Sequence, residues 1–275
     1  MANITAQDVN KLRQMTGAGM MDCKKALVEA NGDFDAAVDI LRKHGAAKSV
    51  KRADRDAKEG VILTAVSADK KTGALVEVNC ETDFVARNAD FQSFAEEVLS
   101  LVLNKKPADM AAMRAVLMAS GISIGDKLAD MAGSIGEKID VRRFQVVEAQ
   151  NGTVVSYIHP GSRLGVLVEL TGEADDAGRD VAMQVAALDP IAVRSDDVPE
   201  DVKQKELDVA RELARNEGKP DHMLENIAQG RLKRYYKDNV LVEQAFVKDA
   251  QTTVGNMLKQ AGVDIVRFVR FGLGS

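Results

Sequence analysis

Cysteine and histidine are scarce in this sequence. The two cysteines, Cys23 and Cys80, lie far apart, and the three histidines, His44, His159 and His222, are scattered. A zinc site needs about four clustered Cys or His ligands, so neither a metal centre nor a disulfide framework is expected. An excess of positive charge is also missing. Lys and Arg number 37 against 42 Asp and Glu, for a formal net charge of −5. A nucleic-acid binder neutralises phosphates with a basic excess, so no direct nucleic-acid partner is expected. No apolar run approaches the roughly 20 residues that span a bilayer, which speaks against a membrane partner. The opening segment, Met1–Gln14, is polar and periodic and has no basic region followed by an apolar one. No secretory signal is therefore expected, and the cytoplasm is the expected location.

Catalytic motifs are lacking too. Gly17-Ala18-Gly19 invites a phosphate-loop reading, but no Gly-Lys-Ser/Thr follows it and no strand precedes it. A turn between helices accounts for it better. His159-Pro160-Gly161-Ser162 has no Gly-x-Ser-x-Gly elbow around it, and a histidine at a strand end is more often structural or a contact residue. Carboxylates are plentiful, yet no pair stands out as held in opposed environments. Neither an enzyme nor a cofactor is expected.

What is present is enough apolar material for real cores. The chain has 275 residues, 45% of them hydrophobic and 29% charged, which suits two or three folding units. The first fifty residues read as three short helices. Thr5 with Asp8 forms a capping signal ahead of Val9, Leu12 and Met15. Thr16–Gly19 breaks that helix, and a second runs from about Met21 to Ala30. Asn31-Gly32-Asp33 turns into a third helix, with Phe34, Ala37, Val38 and Leu41 on one stripe and His44-Gly45 as its end. Ala46–Glu59 is rich in charge, through Lys48, Lys51, Arg52, Asp54, Arg55, Asp56, Lys58 and Glu59. It reads as a solvated helical linker at a domain boundary, with a basic contact strip as the sharper alternative.

The pattern then changes to period two with β-branched residues. Val61–Val66 and Ala74–Cys80 are expected as strands joined by a turn at Lys70–Gly73. A loop, Glu81–Ala89, leads to a helix from about Asp90 that buries Phe91, Phe94, Val98 and Leu101. Further helices are expected after Pro107 and at Ile124–Ser134. Strands return at Val141–Ala149, Thr153–His159 and Leu164–Leu170, with Asn151-Gly152 as a hairpin signal. A helix through Val181, Val185 and Leu188 follows. The class is thus α+β.

Two stretches resemble each other. Leu75-Val76-Glu77-Val78 leads into a helix with Phe94-Ala95-Glu96-Glu97-Val98, and Leu167-Val168-Glu169-Leu170 into one with Val181-Ala182-Met183-Gln184-Val185. Two related sheet-plus-helix subdomains are the natural reading. The first copy is longer at its strand-to-helix join, within Cys80–Asn88. A loop not needed to close the unit is a good place to seek function. Pro199–Asp238 reads as a projecting helical hairpin. Its expected stripes are Val202, Leu207, Val209 and Leu213, and Leu224, Ile227, Ala228, Leu232 and Tyr235. A short helix near Thr252–Gln260 and a last strand, Ile265–Phe271, end the reading.

Two local features suggest contact. Met20-Met21 follows a glycine turn, and methionine is favoured on adaptable binding surfaces, although a small three-helix unit also needs core residues. Thr82-Asp83-Phe84-Val85-Ala86-Arg87-Asn88 puts an acid beside an aromatic in a loop. That is either a contact or a buried Phe beside a helix-capping Asp.

These residues carry a resemblance. Thr16–Leu27, with Gly17-Ala18-Gly19-Met20-Met21-Asp22-Cys23-Lys24-Lys25, is similar to the N-terminal signature of the bacterial elongation factor Ts family. Glu77–Arg87, with Cys80-Glu81-Thr82-Asp83-Phe84-Val85-Ala86, resembles its second signature. Ile135–Ile139, Arg142-Arg143, Gly165–Val168, Ala182–Ala187 and Ile265–Phe271 also match, in order, over nearly the whole chain.

The resemblance implies a guanine-nucleotide exchange factor whose partner is the GTPase elongation factor Tu. It implies a ubiquitin-associated-like three-helix domain at 1–53 and core subdomains at 54–140 and at 141–192 with 242–275. A helical-hairpin insertion at 193–241 supports a homodimer in some members. By the family pattern Arg13, Met20 and Met21 meet a helix of the GTPase domain. Asp83 and Phe84 form a wedge near the bound Mg²⁺, with Ile135 and Gly136 beside them. His159, Phe246 and Val247 face a different domain of the partner. Three departures stand out. Gln244-Ala245-Phe246-Val247 replaces the usual Gln-Pro-Phe-Val, Pro160 follows His159, and with Phe271–Ser275 after the final strand a contact through the further helix of many members is not expected. The rival reading is a binding module for a ubiquitin-like protein or nascent chain, without exchange activity.

Overall fold

A computed structural model describes residues 4–52 and 54–274, the side chains of 46–52 excepted. The chain divides into two compact units, one of residues 1–63, 74–146 and 272–275 and the other of 64–73 and 147–271. Both contain helices and small sheets, so the class is α+β.

The first unit opens with α1 (Ala6–Thr16), α2 (Met20–Glu29) and α3 (Phe34–Arg52). The expected capping box forms: the Asp8 N–H donates to Thr5 Oγ1 at 3.2 Å and the Thr5 N–H to Asp8 Oδ2 at 2.9 Å. The Thr5 hydroxyl, donating to Asp8 Oδ2 at 2.7 Å, and then the Thr5 N–H hold the Asp8 carboxyl below its usual range. Val9, Leu12, Cys23, Ala26, Leu27 and Ala37 make the shared core. Met15, expected on the buried stripe, is 56% exposed.

The third helix does not stop at His44-Gly45. It runs on to Arg52, and Gly45 is buried where α3 crosses α7 (Ile124–Ile135). A Cβ on Gly133 would lie 2.9 Å from the Gly45 Cα, closer than carbon atoms pack. Gly45 is thus small because a helix crosses there. Of the charged run after it, the side chains of Lys48, Lys51 and Arg52 lie outside the described residues.

Strands β1 (Glu59–Val66) and β2 (Thr72–Cys80) form a three-stranded sheet with β3 (Ile139–Glu148), in the order β1-β2-β3. Between β2 and β3 come α4 (Asp83–Ala86), α5 (Ala89–Lys105), α6 (Met110–Ala115) and α7. Asn88 caps α5 through its side-chain oxygen, and Phe91, Phe94, Val98 and Val102 are buried. Every residue of β2 is buried, including Glu77. A buried carboxylate needs a partner. Arg143 supplies one from β3, with Nε donating to Glu77 Oε2 at 2.7 Å and Nη2 to the Gly272 carbonyl at 3.1 Å.

The second unit holds β4 (Thr153–Ile158), β5 (Leu164–Leu170) and α8 (Asp175–Leu188). It then runs through α9 (Glu200–Asn216), α10 (Asp221–Asn239), β6 (Ala245–Phe246), β7 (Asp249–Thr253), α11 (Val254–Gln260) and β8 (Ile265–Gly272), whose last residue belongs to the first unit. β4 and β5 are antiparallel, from Thr153 opposite Leu170 to Ile158 opposite Gly165, in a sheet ordered β4-β5-β8. Asn151-Gly152 therefore joins strands of different sheets and is no hairpin turn. Gly152 is needed for close approach: a Cβ there would fall 1.6 Å from the Leu170 carbonyl oxygen. The buried Glu169 on the central strand repeats the Glu77 arrangement. Arg267 on β8 donates from Nε at 2.7 Å and from Nη2 to the Glu148 carbonyl at 3.2 Å.

The core of this unit gathers Val166, Val168 and Leu170 from β5, Val181 and Val185 from α8, and Leu241, Phe246, Val254, Leu258 and Ile265. α9 and α10 pack together through Leu207, Ala210, Ala228 and Leu232, with Arg211–Glu225 and Arg231–Glu217 ion pairs between them. Alanines on the inner face let the helices approach. Val209 and Leu213, expected inside, face solvent instead.

Candidate functional site

The turn that carries Asp83 and Phe84 is built from the end of β2 outward. The expected loop contains a single helical turn, α4, which Thr82 caps. A turn this short has little stability of its own, because helix nucleation is unfavourable. It is braced from outside. Glu137, in the turn between α7 and β3, accepts the Glu81 N–H at 3.1 Å, the Thr82 N–H at 3.0 Å and the Thr82 hydroxyl at 2.7 Å. Glu81 reciprocates. Its Oε1 accepts the Lys138 N–H at 2.6 Å and an Arg55 Nη1–H at 3.2 Å. The Lys138 ammonium donates to the Arg55 carbonyl at 2.9 Å. The Cys80 thiol donates to the Thr82 carbonyl at 3.1 Å. Burial, with the Glu137 carboxylate nearby, pushes that thiol up to about 12, so it stays protonated and unreactive at neutral pH.

On this base Phe84 is 82% exposed. It is not the buried aromatic that the sequence also allowed. Asp83 does not cap the helix: Thr82 does, and the Asp83 carboxylate pairs with Arg87 at 2.9 Å. Ile135 ends α7 and Gly136 follows with a φ of 91°, a conformation that glycine adopts without strain. Glu137 comes next, so the Asp83-Phe84 and Ile135-Gly136 turns are joined by its carboxylate.

In the same unit Arg13 lies exposed in the last turn of α1, and Met20 and Met21 open α2 after Gly19. Met20 is 53% exposed and Met21 63%. Neither is core, and Met15 adds a third exposed thioether beside the same glycine turn.

The other three expected residues belong to the second unit. His159 is exposed just past β4, and its Nδ1 lies 3.1 Å from the Tyr157 hydroxyl. Phe246 is buried in that unit's core, while Val247 at the β6–β7 turn is exposed. Buried Gln184 sets this turn. Its amide donates to the Ala245 carbonyl at 3.0 Å and the Gln244 side chain at 3.1 Å, and its oxygen accepts the Val247 N–H at 2.9 Å. The stretch that lacks the usual proline is pinned by a side chain 60 positions away in sequence.

Sequence reading gave no role to Arg55, Glu81, Glu137 or Gln184. Their partners lie tens of residues off, and only Thr82, ahead of Val85, left a local capping signal. Among the described residues no cluster of three His, Cys, Asp or Glu is placed to hold a metal, and no helix is long and apolar enough to cross a membrane. What the surface offers chemically is apolar area, a carboxylate and firm backing.

Comparison with known proteins is consistent with that picture. The profile of the family described as Elongation factor TS matches residues 81–275. The elongation factor Ts of Christiangramia forsetii is 45% identical over 281 aligned residues, covering all of both chains. That of Amoebophilus asiaticus is 47% identical over 99% of each, and that of Alkalilimnicola ehrlichii 47% identical over 98% of this chain and 92% of its own. The protein is thus a translation elongation factor. It belongs to the elongation factor Ts family.

Proposed function

We propose that this chain is a guanine-nucleotide exchange factor, which binds elongation factor Tu in its GDP form and promotes release of the GDP. The observation that carries the reading is Phe84, an aromatic side chain 82% exposed on a turn whose base is held by hydrogen bonds that the Glu137 and Glu81 carboxylates accept. A large apolar ring held out into water lowers free energy only when a partner covers it.

GDP on a GTPase is held by phosphate contacts and by Mg²⁺, which demands near-ideal octahedral oxygen geometry. An aromatic wedge that displaces the elements around that ion spoils the geometry, and the Asp83 carboxylate competes for the same polar groups. Exchange factor and nucleotide then weaken each other by the same factor, as linkage requires. Each tenfold change needs about 1.4 kcal/mol, so several contacts act together. In this reading Arg13, Met20 and Met21 grip the GTPase domain, Ile135 and Gly136 flank the wedge, and His159 and Val247 engage a second domain. Phe246 acts from beneath by fixing the turn that presents Val247. No covalent bond is made or broken, the chain needs no cofactor, and it works in the cytoplasm.

The layout proposed with this function has a ubiquitin-associated-like domain at 1–53, two duplicated core subdomains at 54–140 and at 141–192 with 242–275, and an inserted hairpin at 193–241. The paired Glu77–Arg143 and Glu169–Arg267 bridges, both 2.7 Å and both from the central strand of a sheet, support the duplication. Exposed Val209 and Leu213 support a homodimer through the hairpin. Sedimentation of a Leu213→Glu variant tests it, since the dimer is expected to fall apart.

The function itself is tested by stopped-flow release of a fluorescent GDP from the cognate elongation factor Tu. Strong acceleration by the intact chain is expected. Binding with release still at the spontaneous rate refutes exchange and leaves the protein a binding module.

A further inference from the structure

Glu81 and Glu137 stand 56 positions apart, yet each carboxylate closes on the backbone beside the other. Glu137 takes three donors from Glu81 and Thr82, and Glu81 takes the Lys138 N–H and an Arg55 guanidinium. Charge-assisted bonds of this kind are short and directional. Phe84 itself has little packing to hold it, being 82% exposed, and a one-turn helix does not hold itself. The placing of the ring therefore comes from its backbone anchors. On the far side these are the Asn88 cap of α5 and the Gln92 amide on the Ala86 carbonyl. On the near side they are Glu137 and the cap it orients.

We infer that Glu137, with Glu81 as its counterpart, is a positioning residue. The two form a reciprocal clasp that makes the Asp83-Phe84 turn and the Ile135-Gly136 turn one rigid contact element. A loose aromatic gives up ordering entropy when it is inserted, whereas a clasped one arrives already ordered. The clasp accordingly acts on the step in which the nucleotide site is disturbed and little on the rest of the binding. This rests on the exchange reading proposed above.

The test is a double-mutant cycle on the full chain, read by release of fluorescent GDP from elongation factor Tu. Glu137→Ala is expected to lower the release rate at saturation about ten- to thirtyfold, a loss of charged hydrogen bonds bounded by the loss of the ring itself. The concentration at half-maximal rate is expected to stay within about threefold, because the other contacts remain. In a Phe84→Ala background the same change is expected to cost no more than about twofold, since there is no ring left to position. A merely structural role predicts instead that the two losses multiply, and that result overturns the inference. So does a folded Glu137→Ala protein with an undiminished rate. If Glu137→Ala fails to fold by circular dichroism, Glu137→Gln and Thr82→Val decide the cycle. The first keeps the side-chain volume and one acceptor oxygen, and the second removes the hydroxyl that donates to Glu137 and caps α4 while leaving both carboxylates in place. If the unaltered chain leaves release at the spontaneous rate, the exchange reading fails and the clasp's role in it fails with it. That outcome is distinct from acceleration with multiplying losses, which removes the clasp alone.

Discussion

Phe84→Ala separates surface function from folding. With 82% of the residue exposed, little of its area is already buried in the free protein. A phenylalanine presents roughly 200 Å², so truncation removes only some 40 Å² of buried surface and costs about 1 kcal/mol of stability at most. Against a partner the ledger reverses. Covering the exposed four-fifths of the ring is worth up to about 4 kcal/mol at 25 cal/mol/Å², and about half of that survives if one face stays wet. A loss of about 2 kcal/mol is roughly thirtyfold. Two measurements on the same protein are needed: a thermal melt, and stopped-flow release of fluorescent GDP at saturating exchange factor. The expected result is a melting temperature within a few degrees of the parent and a release rate lowered about thirtyfold. A variant that releases GDP within about twofold of the parent rate refutes the wedge. A variant that loses rate and melting temperature together refutes the claim that the ring is free of the fold.

Further outcomes follow from other positions. Met21→Ala, at a residue 63% exposed, is expected to lower the melting temperature by no more than a few degrees and weaken binding to elongation factor Tu by about 1–2 kcal/mol by calorimetry. Gly133→Ala drives a Cβ to 2.9 Å from the Gly45 Cα, so it is expected to destabilise the first unit by roughly 1–3 kcal/mol in urea melts despite alanine's better helix propensity. The Cys80 thiol is raised by burial to about 12 from an ordinary value of 9.0. The unfolded chain therefore loses that proton first as pH rises, and stability falls by about 1.4 kcal/mol per pH unit above pH 9 until the folded thiol also ionises. Denaturant melts of Cys80→Ala should lose that slope, and the native thiol should resist alkylation at pH 8 until denaturant is added.

How much was legible depends on how far apart the cause and its effect lie in the chain. Thr5 with Asp8, Asn88 ahead of Phe91 and Ser123 ahead of Asp126 are caps made within three residues, and the helices they begin stand close to where the pattern put them. Gly45 misled because a glycine near a helix end and a glycine at a helix crossing look alike in sequence. The partner that distinguishes them, Gly133, is remote. Asn151-Gly152 misled for a similar reason, since a strong hairpin signal says nothing of which sheet each strand joins. On α9 Leu207 packs inward as expected, but the two later residues of the stripe do not. Ala210 and Ala214 pack inward and Val209 and Leu213 stay outside, because closely approaching helices favour small side chains at the seam.

The sequence by itself determined the family, the α+β class, most helices and strands, and the two segments, Thr16–Leu27 and Glu77–Arg87, worth watching. It did so because caps, turns and hydrophobic periods are local, and because long ordered signatures do not recur by chance. Only the tertiary structure decided that Phe84, Met20 and Met21 face water while Phe246 does not, and that Glu81 and Glu137 clasp each other across 56 residues. Burial and long-range hydrogen bonds belong to the packing of distant segments, and no window of sequence contains both partners.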